Sequence, residues 1–242
     1  YLHAGVYHLY AERFVPPCDK KWESYRKAMH CFEEGYKRRF PNIERVEVPY
    51  ENGQTLPAFF MKAPGAGKKP TVVCFDGLDS SKEMSILYIG VELANRGYHT
   101  LAIDGPGQGE SNIRETWVTL DNFERAGSAA IDFLEKTPGI DAQKIGAYGW
   151  SMGSYWAPRV AAHDPRIKAV VGAMGVYQQK DTIFKHSKPA YRSNYMYMSN
   201  EYDEDKFDAM IAEMSLAPLA DKIKCPTLLA MGEFDELCPL ED

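Results

Sequence analysis

Gly149-Trp150-Ser151-Met152-Gly153 sets a serine between two glycines with one residue on either side. A G-x-S-x-G segment carries a nucleophile when a strand runs into it and a helix leaves it. Both conditions are met, because Lys144 to Tyr148 reads as a strand and Ser151 through Ala162 reads as a helix. A serine on so sharp a turn sits in strained backbone, so its flanking positions must be small; Gly149, Gly153 and Ser154 are. The helix N-terminus behind Ser151 supplies a positive end and amides for developing negative charge. The chemistry this arrangement suits is nucleophilic attack on a carbonyl, with Ser151 forming an acyl intermediate.

Such a serine needs oxyanion donors, a base and an acid to orient the base. The amide of Met152 is one expected donor. The second is expected from the loop Cys74-Phe75-Asp76-Gly77-Leu78-Asp79, where Gly77 lets the backbone turn so that the Leu78 amide faces the substrate oxygen. A plain strand-to-helix turn is the alternative reading of that loop. Asp235, in Met231-Gly232-Glu233-Phe234-Asp235-Glu236, is the expected acid, with Glu233 and Glu236 as rivals. The histidines are His3, His8, His30, His99, His163 and His186, and none follows Asp235. His99 and His163 fall within a strand and a helix and read as structural, and His186 is a weak contender. The base is therefore expected beyond residue 242. Asp76, Gly77, Trp150 and Tyr195 are further expected to border the substrate. Asp104-Gly105-Pro106-Gly107-Gln108-Gly109-Glu110-Ser111 holds a G-x-G-x-G, but its spacing is not that of a dinucleotide fingerprint and no helix is expected to open at once after it. It reads as a tight loop near the pocket.

The elements that must position these residues follow from periodicity. Residues 1–40 read as a helical accessory segment. Trp22, Tyr25, Met29, Phe32 and Tyr36 share one face, and Pro16-Pro17 divides the segment into two helices. After Pro41 the period becomes two. Ile43 to Val48 and Leu56 to Phe60 form a hairpin about Glu51-Asn52-Gly53-Gln54. Strands then alternate with helices: Thr71–Phe75, Tyr98–Ile103, Lys144–Trp150, Ile167–Ala173 and Thr227–Met231. That order predicts an α/β fold with a mostly parallel sheet covered on both faces. Residues 41–174 form its core, and 218–242 continue it. Residues 175–217, rich in tyrosine and methionine, read either as helices packed on the sheet or as a cap over a ring-accepting pocket.

Composition bounds the partners. The net charge of -6 includes no basic block, which argues against nucleic acid and against an anionic membrane surface and favours a neutral or weakly polar small substrate. Five scattered cysteines, with no C-x-x-C pair, predict reduced thiols in a cytoplasmic protein and no metal site; no cofactor is implied. The accessory helices and the tyrosine-rich segment are both plausible surfaces for a homodimer. The start at Tyr1 rather than Met, and an end ahead of the last helix and strand of such a fold, lead to the expectation that the chain is cut at both ends.

With these residues in hand, the chain resembles the α/β hydrolases grouped with 2,6-dihydroxypseudooxynicotine hydrolase, fungal polyketide-shortening pigment hydrolases and the fermentation/respiration switch protein. Asp76 to Glu83, Asp104 to Ser111, Gly149 to Gly153 and Ala161-Ala162-His163-Asp164-Pro165-Arg166 carry the likeness. The resemblance implies the α/β-hydrolase fold, Ser151 as nucleophile, Asp235 as triad acid, and an ester-like or ketone-bearing small substrate. It equally implies carbon–carbon cleavage beside a carbonyl. For that reaction the nicotine-degrading member uses an extra acid after the sixth strand, where this chain offers Asp181 without a matching motif. A member that has kept the fold and lost turnover, as a regulatory or binding protein, is the reading from outside enzymes.

Overall fold

A computed structural model describes residues 1–239, apart from the side chain of His186. The last three residues of the expected core segment 218–242 lie outside the described residues. Leu2–Arg13 (α1) and Asp19–Arg39 (α2) form the expected helical pair, with Pro16 and Pro17 in the break. The two helices run antiparallel, Leu2 against Gly35 and Gly5 against Phe32. The predicted face of α2 is the buried one: Tyr25, Phe32 and Tyr36 pack with Phe59, Met61, Cys74, Met84 and Ala102.

The hairpin of Ile43–Pro49 (β1) and Thr55–Met61 (β2) closes with Asn52 at φ 54° and the Tyr50 amide bonded to the Gln54 carbonyl at 2.8 Å. Lys69–Phe75 (β3), His99–Ile103 (β4), Ile140–Trp150 (β5), Ile167–Ala173 (β6) and Thr227–Ala230 (β7) complete a seven-stranded sheet among the described residues. Its order is β1-β2-β4-β3-β5-β6-β7, antiparallel as far as β4 and parallel beyond it. From β3 the chain moves to one side for β4 and then to the other for β5. The ends of β3 and β5 therefore form a switch point, where open α/β sheets leave a crevice. Every residue of β4 is buried, His99 and Thr100 included, as in a strand covered on both faces.

Between β3 and β4, Lys82–Ser85 (α3) passes through a wide π-type turn at Ile86–Gly90 into Val91–Asn95 (α4). Gly109–Ile113 (α5) follows β4, so a short helix does open inside the glycine-rich motif, contrary to expectation. Asn122–Glu135 (α6) and Gly153–His163 (α7) cover one sheet face through Phe123, Ala130, Leu134, Trp156 and Val160. On the opposite face the covering is incomplete among the described residues. There an apolar groove of about 570 Å³ runs past Val72, Tyr98, Tyr148 and Val171. Residues 180–186, Pro189–Ser199 (α8) and Glu204–Ala212 (α9) pack together about Phe184, Tyr195 and Phe207. No helix among the described residues is long and apolar enough to cross a membrane.

Periodicity gave no sign of the charged cluster that joins α2 to the core. Lys82 is fully buried, with its ammonium 2.8 Å from Asp104, 2.8 Å from Glu83 and 3.4 Å from Glu110. Burial works against the charge on Lys82, but Asp104, Glu83 and Glu110 outweigh it and raise its pKa. The Tyr25 hydroxyl lies 3.2 Å from both Asp104 and Glu83, and the Tyr36 hydroxyl donates to the Glu83 carbonyl at 2.5 Å. Removing one partner of such a cluster strands the others without compensation. Lys82→Met should therefore lower the unfolding free energy by roughly 3 to 5 kcal/mol in urea titrations. A loss below about 1 kcal/mol would show that the cluster does not hold the fold together.

Candidate active site

Ser151 is the first residue past β5 and stands at φ 53°, the left-handed region that a side chain enters only under constraint. The Ser151 amide donates to the Ala173 carbonyl at 2.8 Å, and the Ser154 hydroxyl donates to the Ser151 carbonyl at 2.5 Å. The glycines are required by contact. A Cβ on Gly149 would lie 1.9 Å from the Gly153 carbonyl oxygen, and one on Gly153 would lie 2.0 Å from that of Phe75. Helix α7 thus begins pressed against the end of β3, with Ser151 exposed at the apex of the turn.

Ser151 opens onto a cavity of about 300 Å³ that Leu78, Trp150, Met152 and Asp235 also border. The serine, both expected oxyanion residues and the expected acid therefore meet at one site. Among the described residues no protein acceptor takes the amide of Leu78 or of Met152. Glu233 and Glu236, the rival acids, do not border the cavity. Asp235 is half-buried, and its Oδ1 accepts from the Leu237 amide at 2.9 Å, which fixes the carboxylate in its turn.

Three expected substrate contacts are corrected. Asp76 lies beneath the cavity: it is fully buried, and its Oδ1 accepts from Ser85 Oγ at 2.6 Å and from the Trp150 indole at 3.3 Å. It braces Trp150 rather than meeting a ligand. Gly77 is buried against the serine, where a Cβ would stand 3.2 Å from Ser151 Cβ, so its part is clearance. Tyr195 is 1% exposed and packs on Phe184 and Phe207, inside the helices rather than on the cavity wall. Tyr191, one turn earlier on α8, borders the cavity instead.

The wall holds residues not anticipated as site residues. Arg13, at the end of α1, brings the accessory helices to the cavity and lies 3.6 Å from Asp79. Met174, Gln179 and Ile183 come from the segment after β6. Asp181 is exposed and pairs with Lys185 at 3.5 Å, away from the wall. His99 accepts the Ala63 amide at 2.9 Å, with its pKa lowered by burial, and His163 lies against the Arg159 carbonyl at the far end of α7. The side chain of His186 lies outside the described residues. Among the described residues no group of three or more His, Cys, Asp or Glu is placed to hold a metal.

Residues 89–242 match the sequence profile of the prolyl oligopeptidase family. The chain belongs to this family, within the α/β hydrolases. It is 30% identical over 219 residues to 2,6-dihydropseudooxynicotine hydrolase of Paenarthrobacter nicotinovorans, covering 90% of this chain and 56% of that protein. A hydrolase of a Fusarium species is 36% identical over 153 residues, 60% of this chain and 36% of its own. The crystal structure of 2,6-dihydroxy-pseudo-oxynicotine hydrolase superposes with a TM-score of 0.85 at 26% identity, covering 99% of this chain and 66% of that one. The chain thus spans roughly a third to just over half the length of these curated relatives.

The Asp76 carboxyl has a pKa raised well above the usual range, first by burial and then by the negative Asp104 and Glu83, against the bonds from Ser85 and Trp150. A raised folded pKa contributes stability below the unfolded carboxyl value, and that contribution is lost as pH rises toward the folded value. Asp76→Asn removes the ionisation, so its stability relative to the parent should climb as pH rises from about 4 to the alkaline limit at which the parent stays folded. Urea unfolding at both ends of that range measures the difference, and a constant difference would refute a carboxyl held protonated.

Proposed function

We propose that the protein is a serine hydrolase of small ester-like or ketone-bearing molecules. The observation that carries this reading is Ser151, held at φ 53° and exposed on a cavity that Leu78, Met152 and Asp235 share. Ser151 Oγ attacks the substrate carbonyl, and the amides of Leu78 and Met152 take the oxyanion. A histidine base, which Asp235 orients, takes the serine proton and delivers it to the leaving alcohol or enolate as the tetrahedral intermediate collapses to an acyl-enzyme; water, activated by the same base, then adds to the acyl carbon and releases the acid from Ser151. The cavity, at about 300 Å³, falls at the small end of ligand sites, and Trp150, Met152, Met174 and Tyr191 give it ring-accepting walls.

Carbon–carbon cleavage of a β-diketone or aryl ketone shares the serine and the oxyanion donors. Similarity to 2,6-dihydropseudooxynicotine hydrolase over 90% of this chain supports it as the second reading. Asp181 does not support it, since it lies away from the cavity. Product analysis separates the two reactions: an ester releases an alcohol and an acid, whereas a diketone releases a ketone and an acid.

The full-length protein should react with a fluorophosphonate probe at Ser151, as located by peptide mapping. Ser151→Ala should abolish the label and lower turnover by more than about a thousandfold. Absence of labelling in folded wild-type protein would remove the hydrolase reading and favour a binding protein. Asp235→Asn should lower kcat by about 10⁴-fold, as loss of the acid does in a serine–histidine–aspartate triad. Glu233→Gln and Glu236→Gln should stay within about threefold of wild type; a collapse in either would move the acid's role to that position.

A further inference from the structure

The glycine-rich motif Asp104 to Ser111 has no part in the chemistry assigned so far, yet it runs directly behind the loop that carries Leu78. Gln108 is 2% exposed, and its Nε2 donates to the Gly77 carbonyl at 2.9 Å and to the Asp76 carbonyl at 3.2 Å. Its Oε1 accepts the Gly105 amide at 3.3 Å. The partners fix which end of the carboxamide is which, because two carbonyls need a donor and one amide needs an acceptor.

The Gly77 carbonyl and the Leu78 N–H belong to a single peptide unit. A trans peptide is planar, with its C=O and N–H pointing in opposite directions. A bond that holds the Gly77 oxygen toward Gln108 therefore turns the Leu78 N–H the other way. Gly77 is packed against Ser151, so this peptide lies beside the serine. A hydrogen bond accepted by the carbonyl also polarises the unit and strengthens its N–H as a donor. The loop around Gln108 is itself tied down: the Asp104 amide donates to the Pro57 carbonyl at 2.8 Å, and the Ser111 hydroxyl donates to the Asp104 carbonyl at 2.7 Å.

We infer that Gln108 is a positioning residue for the oxyanion site, its carboxamide fixing the Gly77–Leu78 peptide so that the Leu78 amide meets the developing negative oxygen. The inference rests on the hydrolase reading of Ser151. It gives the glycine-rich motif a task in the reaction without placing any of it in contact with substrate.

The test compares full-length wild type with Gln108→Met, which matches the length and lacks the donor, and Gln108→Glu, which keeps the shape and replaces the NH2 by an acceptor. The substrates are a p-nitrophenyl ester and its thionoester, in which C=S replaces C=O. Thermal melting is followed in parallel. In both variants kcat for the oxygen ester should fall about 10- to 100-fold, less than the loss on deleting an oxyanion donor outright, with KM within about threefold. The thionoester should lose less than about threefold, because sulfur is a weak acceptor and draws little from the donor. The ratio of oxygen-ester to thionoester rates therefore collapses. Equal losses on both substrates, or unchanged rates, overturn the positioning role, since general loosening slows both alike. Fluorophosphonate labelling of wild-type Ser151 separates the two possible failures. With labelling intact and the rate ratio unmoved, only the role of Gln108 falls. Without labelling, the hydrolase reading falls and this proposal falls with it.

Discussion

The carboxylate of Asp104 is the point on which the rest of the site's architecture hangs. It is the first residue past β4, it is fully buried, and it accepts from the Lys82 amide, the Lys82 ammonium, the Glu110 amide and the Tyr25 hydroxyl. Those four donors belong to three parts of the chain: the start of α3, the start of α5 and the middle of α2. A buried carboxylate is costly unless paired, and burial pushes Asp104 upward while Lys82 pulls it back. The pairing is local and directional, so the three parts cannot shift independently. Displacing Lys82 would move the base of the loop that carries Leu78. Displacing Tyr25 would free the accessory helices whose end, Arg13, borders the cavity.

A second constraint acts from the opposite side of the serine. The clearance between Gly149, Gly153 and Phe75 brings helix α7 within a carbonyl's width of the β3 end. Such close approach holds Ser151 at positive φ, a conformation that persists only when its surroundings over-determine it. The serine and the Leu78 loop are thus positioned by different forces, steric contact for one and buried polar bonds for the other. They meet because Asp76, Asp104 and Ser151 are each the first residue beyond three neighbouring parallel strands.

Much of this was legible in the sequence, and the reason differs by element. Strands β1 to β7 and the split of the accessory helices announce themselves through local periodicity and a proline pair, which need no knowledge of partners. The serine turn is equally local, because five consecutive residues contain the whole steric requirement. Chain order pointed only to the acidic turn after β7; that Asp235 borders the cavity and Glu233 and Glu236 do not is visible only in the folded chain. The misreadings have a common cause. Asp76 and Tyr195 have side chains suited to a ligand, but whether a side chain faces a cavity or the interior depends on what packs over it. For Asp76 that is Ser85 and Trp150, and for Tyr195 it is Phe184 and Phe207. The Lys82 cluster was invisible for the same reason, since its members Tyr25, Lys82 and Asp104 are separated by tens of residues in the chain.

The division of labour in the cavity follows from that contrast. Ser151 and Met152 stand where β5 runs into α7, and Leu78 and Asp235 stand in the loops that follow β3 and β7. The residues that shape the remaining wall, Arg13, Gln179, Ile183 and Tyr191, come from the accessory helix and from the segment after β6. Those pieces are joined to the core by side-chain packing and a few polar bonds, with no shared ladder. The turn that presents Ser151 is thus read from local pattern, whereas the Leu78 loop and the rest of the cavity wall take their positions from tertiary contact. A change in α1 or α8 can therefore alter which molecule fits the cavity without disturbing the turn that presents the serine.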